Sequence, residues 1–204
     1  MKLRSDEMRR ISCQHPALLG VGGISADDLN KPLVLVHSNA GYSHAGSFHL
    51  DSLVEQVMIG VREAGGTPFK YTTTDVCDGV SQGHDGMNYV LASREYIADL
   101  IEIYVQSHRF DAAVLISSCD KALPAAMIAA ARMKDDIPVV IVPGGSSDVG
   151  SRYLMCGSIG IISGLVASGA SPETELKFVQ RHSLPCVGAC QFMGHEESVP
   201  FKFA

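Results

Sequence analysis

The sequence predicts an α/β fold with a mostly parallel sheet covered on both faces, and three observations predict it. Short apolar runs rich in β-branched residues alternate with longer segments of helical periodicity. Gly, Pro, Ser or Asp marks each junction. The runs are continuously apolar rather than alternating, as strands must be when a parallel sheet leaves them no solvent face. With 204 residues, 46 % of them hydrophobic, the chain can bury a substantial core as one domain with extensions.

Element by element, Leu33 to His37 reads as a buried strand. Leu50 to Ala64 has apolar residues at helical spacing and stops at Gly65-Gly66, and Pro68 to Thr73 returns as a strand. Ser93, two residues before Glu95, starts a periodic helix running to about His108. Ala112 to Ile116 is the next strand, Ala122 to Met133 an alanine-rich helix, and Val139 to Val142 a strand closed by Pro143-Gly144-Gly145. Ser171, Pro172 and Glu173 mark a further helix start, whereas Gly157 to Ala170 reads equally as helix or loop.

Composition excludes several classes of function. The 16 basic and 22 acidic side chains leave a net charge of −6 with no basic cluster, so no nucleic-acid partner is expected. The weakly polar stretch Ile159 to Ala170 is too short for a bilayer and is broken by glycines and serines, so no membrane is expected either. The N-terminus has charge but no apolar segment behind it, which predicts a cytoplasmic chain. In that setting the six cysteines are expected as thiols or metal ligands rather than a disulfide framework.

Ligands in open parallel sheets bind beyond the carboxyl ends of the strands, so the residues just after each strand matter most. After Ile116 come Ser117-Ser118-Cys119-Asp120-Lys121, a soft sulfur, a hard oxygen and an amine side by side. An equally good reading of these three alone is a cysteine beside a surface ion pair. After a second strand end, Thr72 to Val76, come Cys77-Asp78-Gly79 and a loop with Gly83, His84 and Gly86. Near the end, Cys186 and Cys190 have a spacing that fits a tetrahedral zinc site poorly and iron-sulfur ligation better, with one cysteine as a spectator. His44 and His49 follow the first strand, where a polar loop and a helix cap describe them best, and His84 reads as a turn residue. Gly144-Gly145-Ser146-Ser147 offers backbone amides to an anion, but no P-loop or dinucleotide fingerprint is present. Cys13 and Cys156 lack metal-ligand companions in sequence and read as small buried hydrophobes.

With these residues assembled, the chain resembles the N-terminal part of the dihydroxy-acid dehydratase and phosphogluconate dehydratase family, from Ser5 to about Gly194. The motifs that carry the likeness are Arg62-Glu63-Ala64-Gly65-Gly66-Thr67-Pro68-Phe69, the run Cys77 to Met87, Ser93-Arg94-Glu95, and Ser118-Cys119-Asp120-Lys121 followed by Leu123-Pro124. The resemblance implies an α/β/α sandwich over residues 1–194. It implies an iron-sulfur cluster on Cys119 and Cys190, with Cys77 as an extra candidate, and Mg2+ on Asp78 and Asp120. Lys121 is the position some members carry as a carbamate. The implied reaction dehydrates a small-molecule 2,3-dihydroxy acid to a 2-keto acid, with the cluster as Lewis acid and magnesium holding the carboxylate.

Two departures accompany the resemblance. Some relatives carry a third cluster cysteine where this chain has Gly46, which leaves the cluster type open. The family's further magnesium ligand and serine base belong to a C-terminal domain, and residues 195–204 form an atypical tail, as expected of a truncated product inactive alone. A homo-oligomer or that C-terminal domain is the expected partner. The alternative reading is a cluster- or metal-binding module without turnover. The Cys77-Asp78-Gly79 form is closer to the phosphogluconate branch.

Overall fold

The structure is a computed structural model, and it describes residues 2–191. The expected tail at 195–204 lies outside the described residues.

Three short helices, α1 (Asp6–Ile11), α2 (His15–Gly20) and α3 (Ala26–Leu29), precede the first strand. Ser25 caps α3 reciprocally with Asp28. Strands β1 (Leu33–Ser38), β2 (Thr67–Thr72), β3 (Ala112–Ser117) and β4 (Val139–Pro143) form one sheet in the order β2-β1-β3-β4, with every neighbouring pair parallel. The expected strands are all present, within a residue or two at each end.

Alternate strand residues serve opposite faces. Leu33, Leu35, Ala113 and Leu115 pack with α6 (Met87–His108) and α7 (Cys119–Met133), whose Ile97, Ile101, Ala122, Ala126 and Ala129 are fully buried. Val36 and Ile116 point the other way, onto Leu50 and Val54 of α4 (Leu50–Glu63). The α/β/α sandwich is therefore the observed architecture. Alanines line α7 because it lies close against α6, where larger side chains would not fit. A last helix pair, α8 (Cys156–Ala167) and α9 (Glu173–His182), packs mainly on itself.

Three expectations are corrected. Ser93 does not start α6, which begins at Met87; it is buried inside the helix and donates Oγ–H to Val90 O at 2.6 Å, a back-bond that satisfies a serine without a cap. Helix α7 begins at Cys119 rather than Ala122, with Pro124 tolerated near its start. Strand β2 stops at Thr72, and Asp78–Ser81 forms a short turn of helix, α5. The ambiguous segment after Gly157 is α8. Among the described residues no helix is long and apolar enough to cross a membrane.

Candidate functional site

The chain leaves β1 for β2 on one side and returns to β3 on the other, so the sheet has a switch point between β1 and β3. Connections diverge there and open a crevice at the carboxyl edge. Three strand ends are tied together at that edge. Asn39 accepts Ser117 Oγ–H at 2.8 Å and donates Nδ2–H to Thr73 Oγ1 at 2.8 Å and to Thr74 O at 3.0 Å.

Cys119 stands at the crevice, at the first residue of α7 and 6 % exposed. Its backbone is left-handed, with φ 63°. A non-glycine residue in that region carries strain of about 1–3 kcal/mol, which the surroundings must sustain and which tends to occur at functional positions. Burial pushes its thiol well above the usual range, and the nearby charges of Asp75, Cys77 and Cys190 add to the effect.

Cys190 arrives from the far end of the chain on a stitched loop. Gly188 N–H donates to Ala45 O at 2.9 Å, Ala189 N–H to Gly145 O at 2.9 Å, and Ser147 N–H to Ala189 O at 2.8 Å. Gly188 has φ 132°, and a Cβ there would lie 2.5 Å from Ser146 C and Ser147 N, so only glycine allows this approach. Of the amides that the sequence offered to an anion, Ser147 N–H is taken by this loop and Gly144 N–H by Ser117 O at 2.9 Å.

Two cysteines read as buried hydrophobes behave otherwise. Cys13 is exposed. Cys156 is half-buried, donates its backbone N–H to Gln191 Oε1 at 3.0 Å, and has its thiol raised first by burial and then by the charge of Cys190, to which it hydrogen-bonds. Its companion lies too far along the chain for spacing to reveal. Cys77 is also half-buried; burial raises its thiol, the amides of Val80 and Gly79 oppose that, and Cys190 and Asp120 reinforce it.

The oxygen donors meet on the next turn. Lys121 Nζ donates to Asp78 Oδ2 at 3.0 Å and also to Asp120 Oδ2. Burial disfavours the ammonium, but the two carboxylates outweigh it and hold the lysine pKa above its ordinary value. Asp78 Oδ1 is buried with no partner among the described residues. The expected pair, Asp78 and Asp120, is thus brought together on a lysine cation.

The histidines differ in kind. His44 is buried, with Nε2 2.9 Å from Asp75 Oδ2 and Nδ1 3.6 Å from Cys119 Sγ; neither its burial nor its partner was legible in sequence. His49 donates Nε2–H to Gly144 O at 2.6 Å, and His84 closes its own exposed turn through Gly86 N–H and Val80 O.

The resemblance implies two groups, an iron-sulfur cluster and a magnesium ion. Soft sulfurs from separate loops are the donor type that would hold an iron-sulfur cluster. Paired carboxylates, one with an unpartnered buried oxygen, suit a hard divalent cation. Both groups therefore fit the residues present. Among the described residues, no three His, Cys, Asp or Glu side chains gather tightly enough to hold a single ion.

Comparison with known proteins identifies the family. The family profile described as dihydroxy-acid/6-phosphogluconate dehydratase N-terminal matches residues 31–199. A dihydroxy-acid dehydratase of Halothermothrix orenii is 40 % identical over 182 residues, covering 88 % of this chain and 33 % of the relative. That of Caldanaerobacter subterraneus is 38 % identical over 196 residues, 94 % of this chain and 35 % of the relative. A Clostridium pasteurianum dihydroxy-acid dehydratase is 37 % identical, covering 94 % of this chain and 68 % of the relative. The chain spans about a third of the length of the first two. The motifs, the sandwich and the match over 31–199 agree, and the chain belongs to the dihydroxy-acid/6-phosphogluconate dehydratase N-terminal family.

Proposed function

We propose that this chain is the cluster- and cation-binding part of a dehydratase that converts a 2,3-dihydroxy acid, either a branched-chain precursor or a sugar acid, into a 2-keto acid. One observation carries the reading: Cys119, Asp120 and Lys121 share the first turn of α7 at the switch point, so sulfur and oxygen donors are held side by side. An iron-sulfur cluster on Cys119 and Cys190 would supply a Lewis acid toward the departing C3 hydroxyl, and Mg2+ on Asp78, Asp120 and a carboxylated Lys121 would supply positive charge for the enolate-like transition state.

The chain's own residues do the rest. The stitched loops carry Cys190 to the crevice, and the Cys119 thiol, raised by burial, would give up its proton on ligation. Lys121, while an ammonium, keeps Asp78 and Asp120 together. As a carbamate it would become a further oxygen ligand.

The base for the C2 proton is the part these residues do not offer. His44 is committed to Asp75 through Nε2 and faces Cys119 through Nδ1, both ring nitrogens of His84 are engaged, and His49 Nδ1 is buried without a partner among the described residues. General-base assistance is worth about 10²–10⁴-fold. Assayed alone, the 204-residue chain is expected to form no 2-keto product. Exposed Tyr89, Tyr96 and Ile103 of α6 and Ile161 of α8 offer apolar surface to a C-terminal domain or a second copy that would complete the site.

The test is anaerobic reconstitution with iron, sulfide and magnesium. Bound iron and sulfide, with product formed only when a C-terminal partner is added, supports the reading. Bound metals without turnover in any combination would favour a non-catalytic binding module.

A further inference from the structure

Two loops bury a polar pair that the core does not need. His44 lies in the loop after β1 and Asp75 in the loop after β2, and their side chains are only 4 % and 1 % exposed. Such a pair is costly to bury and gives weak grounds for stability alone. Its geometry is that of a prepared ligand. Asp75 Oδ2 is 2.9 Å from His44 Nε2, and Asp75 Oδ1 is fixed by Val76 N–H at 2.9 Å. A carboxylate that accepts Nε2–H places the imidazole lone pair on Nδ1 and sets the plane of the ring, the outer support found behind most metal-bound histidines.

That lone pair faces the sulfur site. Nδ1 is 3.6 Å from Cys119 Sγ and accepts Gly46 N–H at 3.1 Å, a bond within its own loop that ligation of iron would replace. The space beside both groups is kept by a missing side chain. A Cβ on Gly46 would come within 2.4 Å of Cys119 Sγ and 3.1 Å of His44 Cε1. The loop is also joined to that of Cys190, because Ala45 O accepts Gly188 N–H at 2.9 Å.

We propose that His44, through Nδ1, is a third protein ligand of the iron-sulfur cluster held by Cys119 and Cys190, with Asp75 as its positioning residue. This rests on the cluster reading above. Two thiolates leave further terminal positions on any cluster, and imidazole replaces thiolate on iron in known clusters, raising the reduction potential. Thiolate donors nearby, Cys77 and Cys156, are the competing ligands.

The experiment reconstitutes the chain anaerobically with iron and sulfide, with and without nitrogen-15 histidine, and reads pulsed EPR of the reduced cluster. Expected is a strong nitrogen coupling that changes isotope on labelling and disappears in His44→Ala together with part of the bound iron. His44→Cys should regain the iron, lose the coupling and lower the reduction potential. Asp75→Asn should keep the coupling but release iron to a chelator with roughly 10–100-fold weaker retention. Bound iron and sulfide with no histidine coupling in the labelled wild-type chain overturns the inference and leaves the cluster reading intact, as does coupling that persists in His44→Ala. A wild-type chain that takes up no iron and sulfide overturns both.

Discussion

Lys121 Nζ lies 3.0 Å from Asp78 Oδ2, joining the turn after β2 to the helix after β3 with the same cation that meets Asp120. The lysine thus fills the position between two carboxylates that a divalent cation would take. Carbon dioxide adds only to a neutral amine, whereas the raised pKa keeps this one charged. The ion pairing is fully present below the unfolded pKa and is lost as pH rises through the folded value. Magnesium binding, followed by calorimetry in bicarbonate buffer, should therefore strengthen as pH is raised, and Asp78→Asn with Asp120→Asn should abolish the heat. A pH-independent affinity would contradict this.

Replacing Lys121 by Met leaves two carboxylates facing each other. The loss should be modest, about 1–2 kcal/mol, because Asp78 is 41 % exposed and water screens the repulsion. Urea unfolding of the variant measures it, and a loss above this range would place more of the fold's stability in the triad than burial suggests.

Gly188→Ala tests the loop that carries Cys190. A Cβ there meets the backbone of Ser146 and Ser147 at 2.5 Å, and φ 132° disfavours any side chain. Overpacking of this kind costs about 1–3 kcal/mol, which the sheet and its helices should survive. The expected outcome is a folded protein by circular dichroism with most of its iron lost. Full iron content in the folded variant would show that Cys190 need not be held by this turn.

His37 predicts a pH dependence of stability. It is fully buried, its one polar partner among the described residues is Thr73 Oγ1 at 2.8 Å, and burial lowers its pKa to about 3 from 6.5. Below pH 6.5 the unfolded chain takes up a proton that the folded chain refuses, so stability falls as pH falls, by about 1.4 kcal/mol per pH unit from this residue. His37→Asn should flatten the slope of unfolding free energy between pH 6 and pH 4 by about that amount. An unchanged slope would mean the ring is protonated in the fold.

The sheet was legible because strands such as Leu33–Ser38 and Ala112–Ser117 are buried on both faces and are apolar up to their carboxyl ends. Helix α8 was not, since it buries no residue and carries glycines and serines among its apolar positions, leaving little periodicity to read. The meeting of Asp78, Asp120 and Lys121 was legible from their place beyond strand ends. The environment of Cys119 was not. His44 meets Asp75, and Cys156 at the start of α8 meets Cys190, through approaches set by tertiary packing rather than by local spacing. Ser93 shows the converse error, where a good capping residue sits inside a longer helix because its hydroxyl finds a carbonyl one turn back.

The most direct test of the central claim is the iron and acid-labile sulfide content of the anaerobically reconstituted chain beside its Cys119→Ser and Cys190→Ser variants, each checked for folding by circular dichroism. Joint ligation predicts that the wild-type chain holds both elements and that either substitution removes most of them from a folded protein. Wild-type iron and sulfide in both variants would contradict the account, because the thiols that the stitched loop and the left-handed turn bring to one crevice would then hold no cluster together.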